Sequence, residues 1–158
     1  MISVHGGETI SFPKDNPAFT FELPKELTAK FDKPDHLVFD GGHFYLFETK
    51  AQDKEAAKKT MDGIMSVPCQ RFAAPRLSTE PATENKQFSG LIVLDAACTA
   101  SFNEGPAIEL RSREFSLDGK RFFNFGFYDS GLTQLVDGMV KSIRPVTAEP
   151  ASTPSPQK

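Results

Sequence analysis

The stretch GKRFFNFGFYDSGLTQLVDGMVKSIRP, residues 119–145, decides the fold. Five aromatic rings fall between Phe122 and Tyr128. Immediately afterwards Leu132, Leu135, Val136, Met139, Val140 and Ile143 recur at helical spacing and form one apolar stripe. Asp129 or Ser130 is placed to cap this helix, Lys141 and Arg144 sit at the end that favours cations, and Pro145 stops it. Upstream, Asp118-Gly119 reads as a two-residue hairpin turn. That turn sets Phe115 opposite Phe122 and Ser112 opposite Phe125. One face of the hairpin then carries Phe123, Phe125 and Phe127 beside Ile108 and Leu110, and the C-terminal helix has the stripe to cover it.

The other face carries Phe122, Asn124, Gly126 and Tyr128 with Glu109, Arg111, Arg113 and Phe115. Arg111, Arg113, Phe115, Phe122 and Tyr128 make a mixed aromatic and cationic set and are the candidate ligand-binding residues. Two readings stand: a second layer covers them, or they form an exposed binding patch. RFFNFGFY is similar to the RNA-recognition signature of a basic residue followed by alternating aromatics. The glycine expected after the basic residue is Phe122, however, and the small residue two positions later is Asn124. With 18 basic against 21 acidic residues the net charge is −3, the wrong sign for gripping phosphates. No nucleic-acid partner is expected.

The 158 residues suffice for one ordinary domain. Fifteen phenylalanines with no tryptophan and two tyrosines predict an aromatic core with few polar handles. No apolar run approaches the ~20 residues of a membrane span. The opening MISVHGGETISF has neither a basic n-region nor an apolar h-region, so the chain as written reads as cytoplasmic. A removed or omitted leader would make it periplasmic or secreted.

Residues 1–17 read as a lead-in arm with one short strand around Thr9–Phe12. AFTFELP alternates cleanly, with Phe19, Phe21 and Leu23 on one face, and ELTAKF alternates through Leu27, Ala29 and Phe31. HLVFDGGHFYLFETK is a hairpin in which Gly41-Gly42 puts Phe39 opposite Phe44 and Leu37 opposite Leu46. In QDKEAAKKTMDGIMS the period changes: Ala57, Met61, Ile64 and Met65 mark a helix capped by Asp53 and ended by Pro68. Residues 67–87, with three prolines and many small polar residues, read as a long loop. FSGLIVLDA is a buried strand. After Pro145 the composition turns Pro/Ser/Thr-rich, so the tail 146–158 is expected to be disordered.

No nucleophile elbow, zinc-protease, phosphate-loop or dinucleotide motif is present, so no catalytic residue, cofactor or metal is assigned. His36 and His43 flank the first hairpin beside Asp35 and Asp40, but its turn geometry does not converge them on one ion. Cys69 and Cys98 stand 29 positions apart. They either pair, as an oxidising compartment would allow, or are two separately buried thiols, as the lack of a visible leader favours.

The order of elements, a strand ending in proline (FTFELP) and a D-G-K hairpin leading into FFNFGFYDSGLTQLVDGMVKSI give a chain that resembles the PsbP/DcrB-like family over residues ~18–145. Where members of that family often carry a tryptophan after the first strand's proline, Pro24 is followed here by Lys-Glu-Leu. The resemblance implies a small α+β domain with a non-enzymatic accessory role, and it carries no functional residue over. The expected architecture is one α+β domain over 18–145: an antiparallel sheet of about six to seven strands, one helix between its two halves, and a C-terminal helix packed on it. The expected function is binding or accessory, through a protein partner or a small apolar ligand. The alternatives are a carrier with a Phe-lined cavity and an enzyme whose site lies where the 67–87 loop meets the sheet.

Overall fold

A computed structural model of the chain describes residues 3–40, 44–71 and 76–146, with the backbone alone for 67–71. The readings that fall on His43, on the Cys69 side chain and on the tail from 147 onward lie outside the described residues.

The fold is α+β with three layers. Strands β1 (Ser3–Val4), β2 (Thr9–Phe12), β3 (Phe19–Glu22), β4 (Thr28–Lys33), β5 (His36–Asp40) and β6 (Phe44–Glu48) precede helix α1 (Lys54–Arg71). Strands β7 (Arg76–Glu84), β8 (Ile92–Ser101), β9 (Ile108–Ser116) and β10 (Phe123–Asp129) follow. A 3-10 turn at Ser130–Leu132, helix α2 (Thr133–Lys141) and β11 (Arg144–Pro145) complete the chain. The middle layer is an eight-stranded antiparallel sheet in the order β1-β4-β5-β6-β10-β9-β8-β7. A three-stranded sheet, β11-β3-β2, joins α2 on one of its faces. α1 lies on the other face.

The face under α2 and the small sheet holds the aromatic core. Phe12, Phe19, Phe21, Phe39, Phe44, Phe115, Phe123, Phe125 and Tyr128 are all buried there, with Val136, Met139, Val140 and Ile143 of the C-terminal stripe. The rings touch at centroid separations such as 4.9 Å for Phe19–Phe123 and 4.5 Å for Phe39–Phe44, within the range in which aromatic pairs add to area burial. The face under α1 is smaller in its parts: Ala57, Met61 and Met65 meet Leu94, Ala96, Cys98 and Phe122.

The first hairpin keeps the register read from its turn, Phe39 opposite Phe44 and Leu37 opposite Leu46. Asp53 caps α1 as expected, its Oδ1 accepting the Ala56 N–H at 2.8 Å. Four expectations are corrected. Residues 3–17 are not an arm: β1 pairs with β4 and β2 with β3, and Ile10 and Phe12 are buried. α1 runs through Pro68 to Arg71. The supposed 67–87 loop is largely regular structure: its first residues belong to α1, and 76–84 form β7, an edge strand with a bulge between Glu80 and Thr83 that accommodates Pro81.

The β9–β10 turn is also wider than two residues. Asp118 Oδ1 accepts the N–H groups of Lys120 and Arg121, at 2.8 and 2.9 Å. Phe123 therefore faces Phe115, and Phe125 faces Arg113, one position away from the expected register. A bulge between Phe125 and Tyr128 then reverses the last residues of β10. Tyr128 turns into the aromatic core, and Phe127 packs against the α1 side instead of under α2.

Candidate functional site

The corrected register keeps Arg111, Arg113, Phe115 and Tyr128 on one face and sends Phe122 to the other. Phe122 is buried on the α1 side. Phe115 and Tyr128 belong to the aromatic core, and Arg113, 2% exposed, lies on that same side of the sheet. Arg111 is half-buried and pairs with Glu109 at 3.3 Å. A second layer thus covers these residues, but it is α2 and the small sheet for most of them and α1 for Phe122.

Arg113 is the centre of a buried ionic network. Its Nε and Nη2 donate to the two oxygens of Asp95 at 2.7 and 3.2 Å, and its Nη1 donates to Asp137 of α2. Asn85 Nδ2 donates to Asp95 at 2.8 Å, and the guanidinium lies 5.0 Å from the centre of the Phe88 ring. Burial alone would pull the guanidinium's pKa down, but the bonds to Asp95 and Asp137 outweigh it and hold it above the ordinary value. Burial pushes the Tyr128 hydroxyl up, against the lowering effect of Arg113. This network ties α2 to the sheet.

The opposite face is divided. α1 covers the β7–β9 half. Over β4, β5 and β6 the outward residues Lys30, His36, Val38, Tyr45 and Phe47 join neither core cluster, and Tyr45 is 41% exposed. The His36 and Tyr45 rings stack at 5.0 Å, with Phe47 6.5 Å from His36. A groove of about 400 Å³ opens at this end, lined by Asp32, Lys33, Asp35, His36, Phe47 and Glu48. Glu48 is held by Arg121 through two bonds, at 2.8 and 2.9 Å. His36 Nδ1 sits 3.4 Å from Asp32 Oδ2 without hydrogen-bond geometry. Among the described residues, no group of three His, Cys, Asp or Glu side chains is arranged to hold a metal.

One cross-strand row links the open half to the covered half. His36 faces Phe47, Phe47 faces Asn124, Asn124 faces Glu114, and Glu114 faces Leu94. Ser112, Glu114 and Asn124 are fully buried. Asn124 Nδ2 donates to Glu114 Oε1 at 2.9 Å, and Ser112 Oγ donates to Asn124 Oδ1 at 3.2 Å. Burial pushes the Glu114 carboxyl up to about 7, against the smaller lowering effects of Asn124 and the nearby Thr49 hydroxyl. Among the described residues, no donor meets Oε2 in full hydrogen-bond geometry, and the Thr49 hydroxyl lies near the carboxyl.

Cys98 is buried on β8, facing α1, and is disulfide-bonded. Cys69 lies in α1. No described helix is long and apolar enough to cross a membrane. No protein-family model and no curated protein matches the chain.

The sequence reading missed Tyr45, Phe47 and Glu114 as residues of interest. For Tyr45 and Phe47 the signal was present: FYLF carries apolar residues on both faces of a strand, and only one face is covered. Glu114 gave no such signal, because a glutamate in a strand ordinarily reads as solvent-facing.

Proposed function

We propose that this protein is a non-enzymatic binding or accessory protein that takes a protein partner on the open half of its sheet, centred on Tyr45, His36 and Phe47. The observation that carries the reading is the uneven cover of one sheet face. α1 closes the β7–β9 half, whereas the β4–β6 half presents stacked rings to solvent. The patch has the composition of a protein interface, with aromatic residues at its centre and charges of both signs, Lys30, Lys33, Asp32, Asp35 and Asp40, around its margin. Tyrosine at such a centre supplies large contact area together with a polar tip. A non-catalytic role also agrees with the resemblance to PsbP/DcrB-like domains. The carrier alternative asks for an enclosed cavity among the phenylalanines, but those rings pack on one another. The enzyme alternative rested on a loop whose place is largely taken by the end of α1 and by β7. We further propose that Cys69 is the partner of Cys98, which would suit an oxidising compartment.

Site-directed photo-crosslinking tests the surface. A photoreactive phenylalanine at position 45 should capture a specific protein from an extract of the native cells. Exposed Leu77 on β7 serves as the control position. Excess wild-type protein should abolish the adduct, and excess Tyr45→Glu protein should not. Equal competition by the two proteins would place the interface elsewhere.

A further inference from the structure

We propose that Glu114 makes the seating of α1 on the sheet proton-dependent: the helix is held down while the carboxyl is neutral and opens more readily once the carboxylate forms. Glu114 projects from β9 on the face that α1 covers, directly beside Leu94, which packs with Ala57, Met61 and Met65 of the helix. It is fully buried: the Asn124 amide donates to its Oε1, and the Thr49 hydroxyl is the other neutral group beside it. A neutral carboxyl tolerates this arrangement. A carboxylate there is met by neutral groups alone, the Asn124 amide and the Thr49 hydroxyl, a costly state that admission of water would relieve.

Among the described residues, no lysine or arginine pairs with it. On α1, Lys54 is paired with Glu84 at 2.8 Å and Lys58 lies 3.7 Å from Glu55. Lys59 is exposed, and Asp62 accepts the Ala82 N–H. On the sheet, Arg113 and Asp95 face the opposite side, and Arg121 is engaged by Glu48. Glu84 of β7 belongs to the Lys54 pair, and Glu80 is exposed.

α1 is also the layer that opens at least cost. Its buried contacts come from alanine and methionine, and Gly63 interrupts its middle, whereas α2 closes over a bed of phenylalanines.

The sign follows from linkage. The seated state binds the proton better than the open state, in which the carboxyl has its ordinary value of 4.5. The seated state is therefore favoured at low pH and loses that advantage as pH rises from about 4.5 to about 7. With these two values, the opening constant of α1 should rise about 70-fold between pH 5 and pH 8.

Hydrogen exchange followed by mass spectrometry reads this directly. After correction for intrinsic exchange, peptides from α1 should lose protection between pH 5 and pH 8 by tens of fold more than peptides from α2. Glu114→Gln, which cannot ionise, should remove the difference. Equal loss in both helices, or an unchanged difference in the variant, would overturn the proposal. If the variant does not fold, carbon-13 NMR titration of the Glu114 carboxyl in the wild-type protein decides: a midpoint near 7 supports the proposal and one near 4.5 overturns it.

Discussion

Replacing Arg113 by methionine should destabilise the protein strongly, and the reason lies in what it leaves behind. The guanidinium is 2% exposed and holds two carboxylates from different elements, Asp95 of β8 through two bonds and Asp137 of α2 through one. Met fills much of the volume and keeps apolar contact with Phe88, so the cavity contribution is small. Two carboxylates then remain in a part-buried setting with no cation between them. Breaking a buried ion pair from one side costs about 3–5 kcal/mol. Asp95 and Asp137 keep side-chain exposures of 20% and 29%, so water can reach them and the lower end applies. We expect about 3 kcal/mol by urea denaturation at pH 7, or a fall in Tm of roughly 6–12 °C for a domain of this size. The triple variant Arg113→Met, Asp95→Asn, Asp137→Asn should recover part of the loss, because it removes the stranded charges as well. A single Arg113→Met protein within about 1 kcal/mol of wild type would refute the reasoning, as would a triple variant less stable than the single one.

Met139→Ala should cost about 2–5 kcal/mol, since Met139 is fully buried in the aromatic core, while half-buried Leu135 should cost less; wild-type denaturation midpoints in Met139→Ala would show that α2 is held by something else. The non-reduced protein should show no free thiol when unfolded. Joining Cys69 to Cys98 closes about 30 residues, so reduction should remove roughly 3–4 kcal/mol in the chain-entropy model; two titratable thiols would return both cysteines to the reduced reading.

Local signals carried much of the architecture. The paired apolar runs on either side of the Gly41-Gly42 sequence signal specify the first hairpin. Strict alternation specifies β3, and the 132–143 stripe specifies α2 and the face it covers. β7 was illegible for a physical reason. Five of its first six residues are polar or proline, and all six are exposed, as at a sheet edge where neither face need be apolar. RLSTEP therefore has the composition of a loop and the backbone of a strand. Of the first residues, the strand at Thr9–Phe12 was legible, but β1 and the place of both strands in the sheets were not, for a related reason. β1 has two residues and β2 four, too few to show a period, and both are held by partners that come later in the chain.

The surroundings of β10 depend on two one-residue events that composition does not announce. At Asp118 the carboxylate captures two backbone N–H groups and widens the turn, which moves Phe115 and Arg113 to the face of Phe123 and Phe125. At Gly126 and Phe127 the bulge exchanges the faces of the last two aromatics. Because strand side chains alternate, each single-residue shift reverses every assignment beyond it. The same alternation explains why the network around Arg113 and the row around Glu114 are separate. These residues are neighbours in sequence and carry opposite charges, yet they point to opposite faces and cannot compensate each other. Arg113 must find carboxylates on its own side, and Asp95 and Asp137 supply them. Among the described residues, Glu114 finds on its side an amide, hydroxyls and the apolar underside of α1, and the proposed compensation is a proton.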